Sequence, residues 1–136
     1  MATRNPLRTD DHKLRPFWLA LGWMLVLLVI YLSLTPAPIE LEIRQGDKLS
    51  HALAYLVLMS WFANLYETRV QHAGFALGFI VLGIGLEFLQ GWTGYRSFEV
   101  ADMVAGAVGV AMGWLLAPPR TPNYLGLAEK FWRAYS

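Results

Sequence analysis

Four long apolar runs, separated by short polar breaks, dominate the chain: residues 17–34 (FWLALGWMLVLLVIYLSL), 49–66, 72–91 and 98–117. Each approaches the roughly 20 mostly apolar residues that an α-helix needs to cross a bilayer, so the pattern predicts four membrane-spanning helices. The breaks differ in character. Residues 35–47, TPAPIELEIRQGD, open with two prolines that cannot extend the first helix. They then alternate Ile39, Leu41 and Ile43 with Glu40, Glu42 and Arg44, the period of an extended segment. A strap across the mouth of the bundle and an ordinary surface loop both fit that pattern. After Pro118-Pro119, Leu125, Ala128, Trp132 and Tyr135 recur at helical spacing with Lys130 and Arg133 between them. This predicts a short amphipathic helix lying in the membrane interface.

Composition agrees with a bilayer as solvent. Apolar residues make up 56% of the 136 and charged residues 15%, where a soluble domain carries about 25% charged residues. A net charge of +1 gives no electrostatic footprint for nucleic acid. With no cysteine, disulfides and thiolate metal sites are excluded. Arg4, Arg8, Lys13 and Arg15 precede the first run, as in a secretory signal. That run, however, exceeds the h-region length of about 7–15 residues, and LTPAP is a poor cleavage site, so a retained span is expected.

Orientation follows from the basic residues. With the N-terminus in the cytoplasm, Arg4, Arg8, Lys13, Arg15, Arg69, Arg120, Lys130 and Arg133 lie inside, and only Arg44, Lys48 and Arg96 lie outside. Positive charge accumulates on cytoplasmic loops, so both termini are expected there. The predicted architecture is all-α: a cytoplasmic basic segment over 1–16, an integral membrane four-helix bundle over 17–117, and a cytoplasmic tail over 118–136 with its interfacial helix.

Helix reversal in such a bundle gathers distant ionisable residues. Asp47, Lys48 and His51 head the second run, Glu87 and Gln90 close the third, Arg96 lies in the connection, and Glu99 and Asp102 open the fourth. Lys48, His51 and Tyr55 form one stripe at i, i+3 and i+7, as do Glu87 with Gln90 and Asp102 with Gly106 at shorter spacing. A charge facing lipid costs about 2–3 kcal/mol at full depth and less near the surface. Intramembrane ionisable groups therefore turn toward the bundle interior and toward one another. A polar pocket open to the outer surface is the expected result. Small residues, Gly74, Gly78, Gly83 and Gly85 in the third run and Ala101, Ala105, Gly106, Gly109 and Gly113 in the fourth, offer narrow surfaces for close helix approach. Glu87 and Asp102 are thus expected near each other, with Arg96 placed to neutralise them.

Three pieces of this pattern resemble the VanZ-like family of small bacterial membrane proteins. They are DKLSHALAY (Asp47, Lys48, His51, Tyr55), GLEFLQ (Glu87, Gln90) and YRSFEVADMVAGAVG (Arg96, Ser97, Asp102, Gly109), and the resemblance spans residues 47–116. It departs at Gly106, where the family pattern places Asn four residues after the helix-four Asp. The resemblance implies a multi-pass protein of the bacterial inner membrane with a cell-envelope role. The family is named for a protein associated with teicoplanin resistance, so glycopeptide tolerance is the implied setting.

Three functions draw on the same residues. A binder of a cell-envelope lipid head group, or of a lipid-linked envelope precursor, would set Lys48 and Arg96 on anionic groups and Glu87, Asp102, Gln90 and Tyr55 on hydroxyls or amines, with Asp47 also among the binding residues. An enzyme acting on such a lipid would use His51 as general base, with Glu87 or Asp102 as its orienter or as general acid. An ion-coupled transporter would need acids near the bilayer midplane, whereas these lie near one edge. Structural ion pairing stands beside each of these readings. His51, Glu87 and Asp102 offer donors suited to Zn²⁺ or Mn²⁺, yet no HExxH-type pair occurs on one helix and Lys48 and Arg96 oppose a cation. Neither metal nor cofactor is expected. His12 and His72 read as solvated, Trp18, Trp23, Trp61, Trp92 and Trp114 as interfacial anchors. No phosphate-binding loop, GxSxG or dinucleotide fingerprint occurs. A glycine face is also compatible with a homo-oligomer.

Overall fold

A computed structural model of the chain describes residues 14–35, 46–94, 98–118 and 120–136, with the side chains of residues 46 and 47 outside that description. The described residues form five α-helices and no strand: α1 (Arg15–Leu34), α2 (Gly46–Leu65), α3 (Arg69–Thr93), α4 (Val100–Leu115) and α5 (Tyr124–Tyr135). Of the 35–47 segment considered as an extended strap, residues 36–45 lie outside the described residues, and α2 already begins at Gly46.

Local chemistry accounts for the helix boundaries. Pro16 sits in the first turn of α1, where its missing N–H is no loss. Before Pro36, α1 stops at an extended Thr35, as the residue preceding a proline requires. A capping box opens α3: the Thr68 hydroxyl accepts from the Gln71 N–H at 3.1 Å, and Gln71 Oε1 accepts in return from the Thr68 N–H at 3.2 Å.

Helices α1 and α3 are, among the described residues, long and apolar enough to cross a membrane. At 16 residues α4 is apolar but shorter. Although α2 matches α1 in length, its apolar run is interrupted by Lys48, His51, Ser60 and Asn64. Its position explains how such a helix is tolerated. With Leu58, Met59, Phe62, Ala63 and Leu65 all buried, α2 is the central element, whereas α1 leaves Met24, Leu27 and Tyr31 exposed. Phe62 stacks on Phe75 at 4.8 Å between ring centres and meets Trp23 edge-on at 5.2 Å, tying α2 to both α3 and α1.

The most extensive pairing is between α2 and α4. Gly109 and Gly113 make it possible. A Cβ at Gly109 would collide with the Ala52 carbonyl, and one at Gly113 would lie 2.5 Å from the Leu56 carbonyl oxygen. Three of the four α3 glycines singled out in the sequence behave otherwise: Gly74, Gly78 and Gly85 have open space where a side chain would be, and Gly83 alone of the four packs closely, on Tyr55 of α2. Small residues thus bring α4 against α2 rather than α3 against α4.

At the opposite end of α2, two asparagines dock the tail. Asn64 accepts from the Tyr124 N–H at 3.1 Å through its side chain, while Asn123 Nδ2 donates to the Asn64 carbonyl at 3.0 Å. Asn123 also caps α5, accepting from the Gly126 N–H at 2.9 Å. This anchoring sets the rotation of α5. Leu125, Gly126 and Glu129 turn inward, and Ala128, Trp132 and Tyr135 are exposed. The face expected from spacing is therefore split, and the outward apolar stripe runs through Leu127, Phe131 and Tyr135. His72, expected to be solvated, is 4% exposed. Its Nε2 bonds the Tyr66 carbonyl at 2.7 Å, so the turn between α2 and α3 folds over it.

Packing at Gly109 separates structural from incidental glycines. In detergent-purified protein, Gly109→Leu is expected to cost about 1–3 kcal/mol or to prevent folding, while Gly74→Ala stays within about 0.5 kcal/mol. Thermal melts read both, and equal effects would show that the α2–α4 approach is not constrained. A second expectation concerns α5. Burial raises the Tyr124 phenol above its ordinary range, offset in part by bonds to Ser60 and Asn64. The folded chain therefore holds that proton more tightly than the unfolded one, and the associated stability is complete below about pH 10 and lost above it. Limited proteolysis across an alkaline titration should detach α5 in step with phenolate absorbance. Unaltered release in Tyr124→Phe would refute the assignment.

Candidate functional site

Three helices contribute to one charged cluster at the end of the bundle where α2 begins, α3 ends and α4 begins. From α2 come Lys48 and His51, from α3 Glu87, and from α4 Asp102 with Glu99 just before it. Glu87 is 1% exposed and Asp102 7%, unusually deep burial for carboxylates. His51 is partly buried and Lys48 more open, so the cluster grades from a dry floor to a wet rim at Lys48 and Glu99.

Geometry links these groups. His51 Nε2 lies 4.0 Å from Glu87 Oε2. The other Glu87 oxygen, Oε1, accepts from the backbone N–H of Glu99 at 2.7 Å. Lys48 Nζ donates to Glu99 Oε2 at 3.2 Å and stands 4.0 Å from Asp102 Oδ1. One donor atom from each of His51, Glu87 and Asp102 falls within 4.8 Å of the others. Two carboxylates at this separation repel in a poorly solvated setting, and adjacent positive charge is what permits both to ionise. Lys48 supplies such charge at Asp102.

The remaining candidates occupy different places. Tyr55 is 2% exposed and lies beneath the cluster, close enough to Glu87 to sense its charge. Its ring is packed between Gly83 and Gly106: a Cβ at Gly106 would be 3.2 Å from Tyr55 Cδ2, and one at Gly83 3.3 Å from the hydroxyl. A side chain at Gly106 would press on the Tyr55 ring, which would have to shift to admit the Asn that the resembled pattern places there. Gln90 is buried, and its amide donates to the Ser33 carbonyl of α1 at 2.6 Å. In this position it joins α3 to α1. The Asp47 side chain and Arg96 lie outside the described residues, so the expected neutralisation of Glu87 by Arg96 has no geometry to report.

Glu99 was visible in the sequence as an acid near Asp102 but was not assigned to the site. It has two roles, orienting Glu87 through its backbone and holding Lys48 through its side chain. Its position three residues before an acidic first-turn residue was the signal. The tail anchor of Ser60, Asn64, Asn123 and Tyr124 was also missed; polar Ser60 and Asn64 one turn apart in an apolar helix could have revealed it.

No family model matches the chain, and no solved structure matches it. The chain is 29% identical over 101 residues to an uncharacterized protein of Schizosaccharomyces pombe, an alignment covering 72% of this chain and 60% of that protein. The chain thus corresponds to only part of its relative's length.

The Tyr55–Gly106 contact can be tested directly. Gly106→Asn, which restores the amide of the resembled pattern, is expected to displace the ring and destabilise the fold by about 1–3 kcal/mol. Tyr55→Leu in the same background should recover part of that loss. Denaturation of the parent and both variants measures it, and a Gly106→Asn protein as stable as the parent would show the ring is not confined.

Proposed function

We propose that the chain is a multi-pass membrane protein of the VanZ-like kind, with four spans and both termini in the cytoplasm. Its charged end faces outward from the bacterial inner membrane and binds the head group of a cell-envelope lipid or lipid-linked intermediate. Glycopeptide tolerance is the setting that the resemblance implies. The observation carrying this reading is the burial of Glu87 and Asp102, from two helices, beside Lys48 and His51 from a third.

The physical support is a matter of depth and sign. Ionisable groups about a turn below the membrane surface lie just beneath the lipid phosphates and their polar substituents, within reach of a head group that dips toward them. Lys48, on the open rim, and Arg96, in the sequence between α3 and α4, suit an anionic phosphate. Carboxylates deeper in the cluster suit hydroxyl or amine substituents. The basic residues flanking α1, α3 and α5 favour the cytoplasmic placement of the other end.

One observation favours an enzyme as the second reading. Glu87 approaches His51 Nε2 to 4.0 Å with its other oxygen fixed by the Glu99 N–H, and a small side-chain closure would give the hydrogen bond by which a carboxylate orients a general base.

Native mass spectrometry of protein extracted with its lipids is the test. A phosphate-bearing lipid should be retained, and Lys48→Ala and Arg96→Ala should each lower retention about tenfold, the effect of one charge-assisted contact. Retention of bulk lipid alone, unchanged by either substitution, would overturn the reading. His51→Ala separates its two forms: lost affinity marks a binder, kept affinity with lost turnover an enzyme.

A further inference from the structure

We propose that His51, Glu87 and Asp102 form a binding site for a first-row divalent metal ion, with Zn²⁺ or Mn²⁺ as the fitting chemistry. The sequence argued against a metal because no single helix carries a ligand pair. The fold supplies one ligand from each of three helices instead.

Distance is the first support. Three donors that all lie within 4.8 Å of one another fit a circle of radius about 2.8 Å or less, and Zn–N and Zn–O bonds are about 2.0–2.2 Å. Each side chain has to close by less than about 1 Å, a change within rotamer reach. The second support is orientation. The Glu99 N–H binds Glu87 Oε1 and leaves Oε2 on the His51 side, the role that an outer hydrogen bond plays for a ligating carboxylate.

Charge is the third. Two buried carboxylates offer the negative charge that a divalent ion cancels, and the His51 imidazole adds a nitrogen donor. Lys48, the apparent competitor, is closer to Glu99 (3.2 Å) than to Asp102 (4.0 Å), so an entering ion leaves it with a partner. The donor set has no sulfur and one imidazole, which suits Zn²⁺, Mn²⁺ or Fe²⁺ better than Cu⁺ or Ca²⁺. His51 then acts as a ligand through Nε2, not as a base. Three protein ligands leave coordination positions for an exogenous oxygen, and a lipid phosphate could occupy one. That last step rests on the reading under Proposed function; the metal site does not.

The experiment uses tag-free full-length protein in detergent, treated with chelator and titrated with Zn²⁺, and with Co²⁺ as a spectroscopic probe. One equivalent per chain is expected, with a rise in melting temperature and a cobalt visible spectrum characteristic of mixed nitrogen and oxygen ligation. His51→Ala, Glu87→Gln and Asp102→Asn should each weaken binding at least about tenfold. Asp102→Glu should preserve it, and Lys48→Met should preserve or tighten it. Absence of stoichiometric binding to the parent protein, or binding that survives all three ligand substitutions, overturns the proposal. Lipid retention measured on the same chelator-treated protein keeps the two ideas apart: retention without metal binding removes the metal site and leaves the lipid reading standing.

Discussion

Across Gly109 and Gly113, α4 approaches α2 so closely that backbone carbonyls of Ala52 and Leu56 occupy the space of absent side chains. In the bilayer setting of the proposed function, bringing helices together brings no hydrophobic gain, and close packing of backbones supplies the attraction. The charged cluster depends on this contact. Ala52 follows His51 directly, so the crossing that presses Gly109 on Ala52 also carries Asp102, two turns earlier on α4, toward Lys48 and His51. Glu87 enters from α3 and is held by the Glu99 N–H at the start of α4.

Polar chemistry is divided between the two ends of α2. At one end are Lys48 and His51 with the carboxylates; at the other, Ser60 and Asn64 hold the tail through Asn123 and Tyr124. The stretch between is apolar and carries the buried residues Leu58 and Met59. This division fits the price of polar groups in a bilayer, which is lowest near the surfaces and falls further when each has a partner. The Ser60, Asn64, Asn123 and Tyr124 anchor uses neutral hydrogen bonds, whereas at the other end the contacts from α2 are charged. The proposed ligand site belongs to the first end; the second attaches α5, buries Glu129 beside Arg133 and leaves Leu127, Phe131 and Tyr135 facing outward.

The lipid and metal readings use the cluster at different depths. Lys48 and Glu99 are on its open rim, whereas Glu87 and Asp102 are its floor. An anion at the rim and a cation at the floor would each meet complementary charge, and neither requires the other. Gln90, bonded to Ser33 of α1, and Tyr55, enclosed between Gly83 and Gly106, support the floor from outside it.

How much of this was legible differs by residue. The helices over 17–34, 49–66, 72–91 and 98–117 were readable from apolar run length, because that signal is local, and α1 to α4 fall within a few residues of those bounds. The meeting of His51, Glu87 and Asp102 was readable too, since short connections force antiparallel neighbours and so fix which helix ends coincide. Rotation about each helix axis was not. It decides that Gly109 faces α2 while Gly74 faces open space, that Gln90 turns to α1, that His72 is enclosed and that Leu125 is buried while Trp132 is not. Periodicity defines a face but not its neighbour. The amino-acid order by itself determined the elements and the end of the bundle at which charge collects. Only the tertiary structure chose the pairing of charges, because donor distances of a few ångströms depend on helix rotation and crossing, which are set jointly by side chains far apart in the chain.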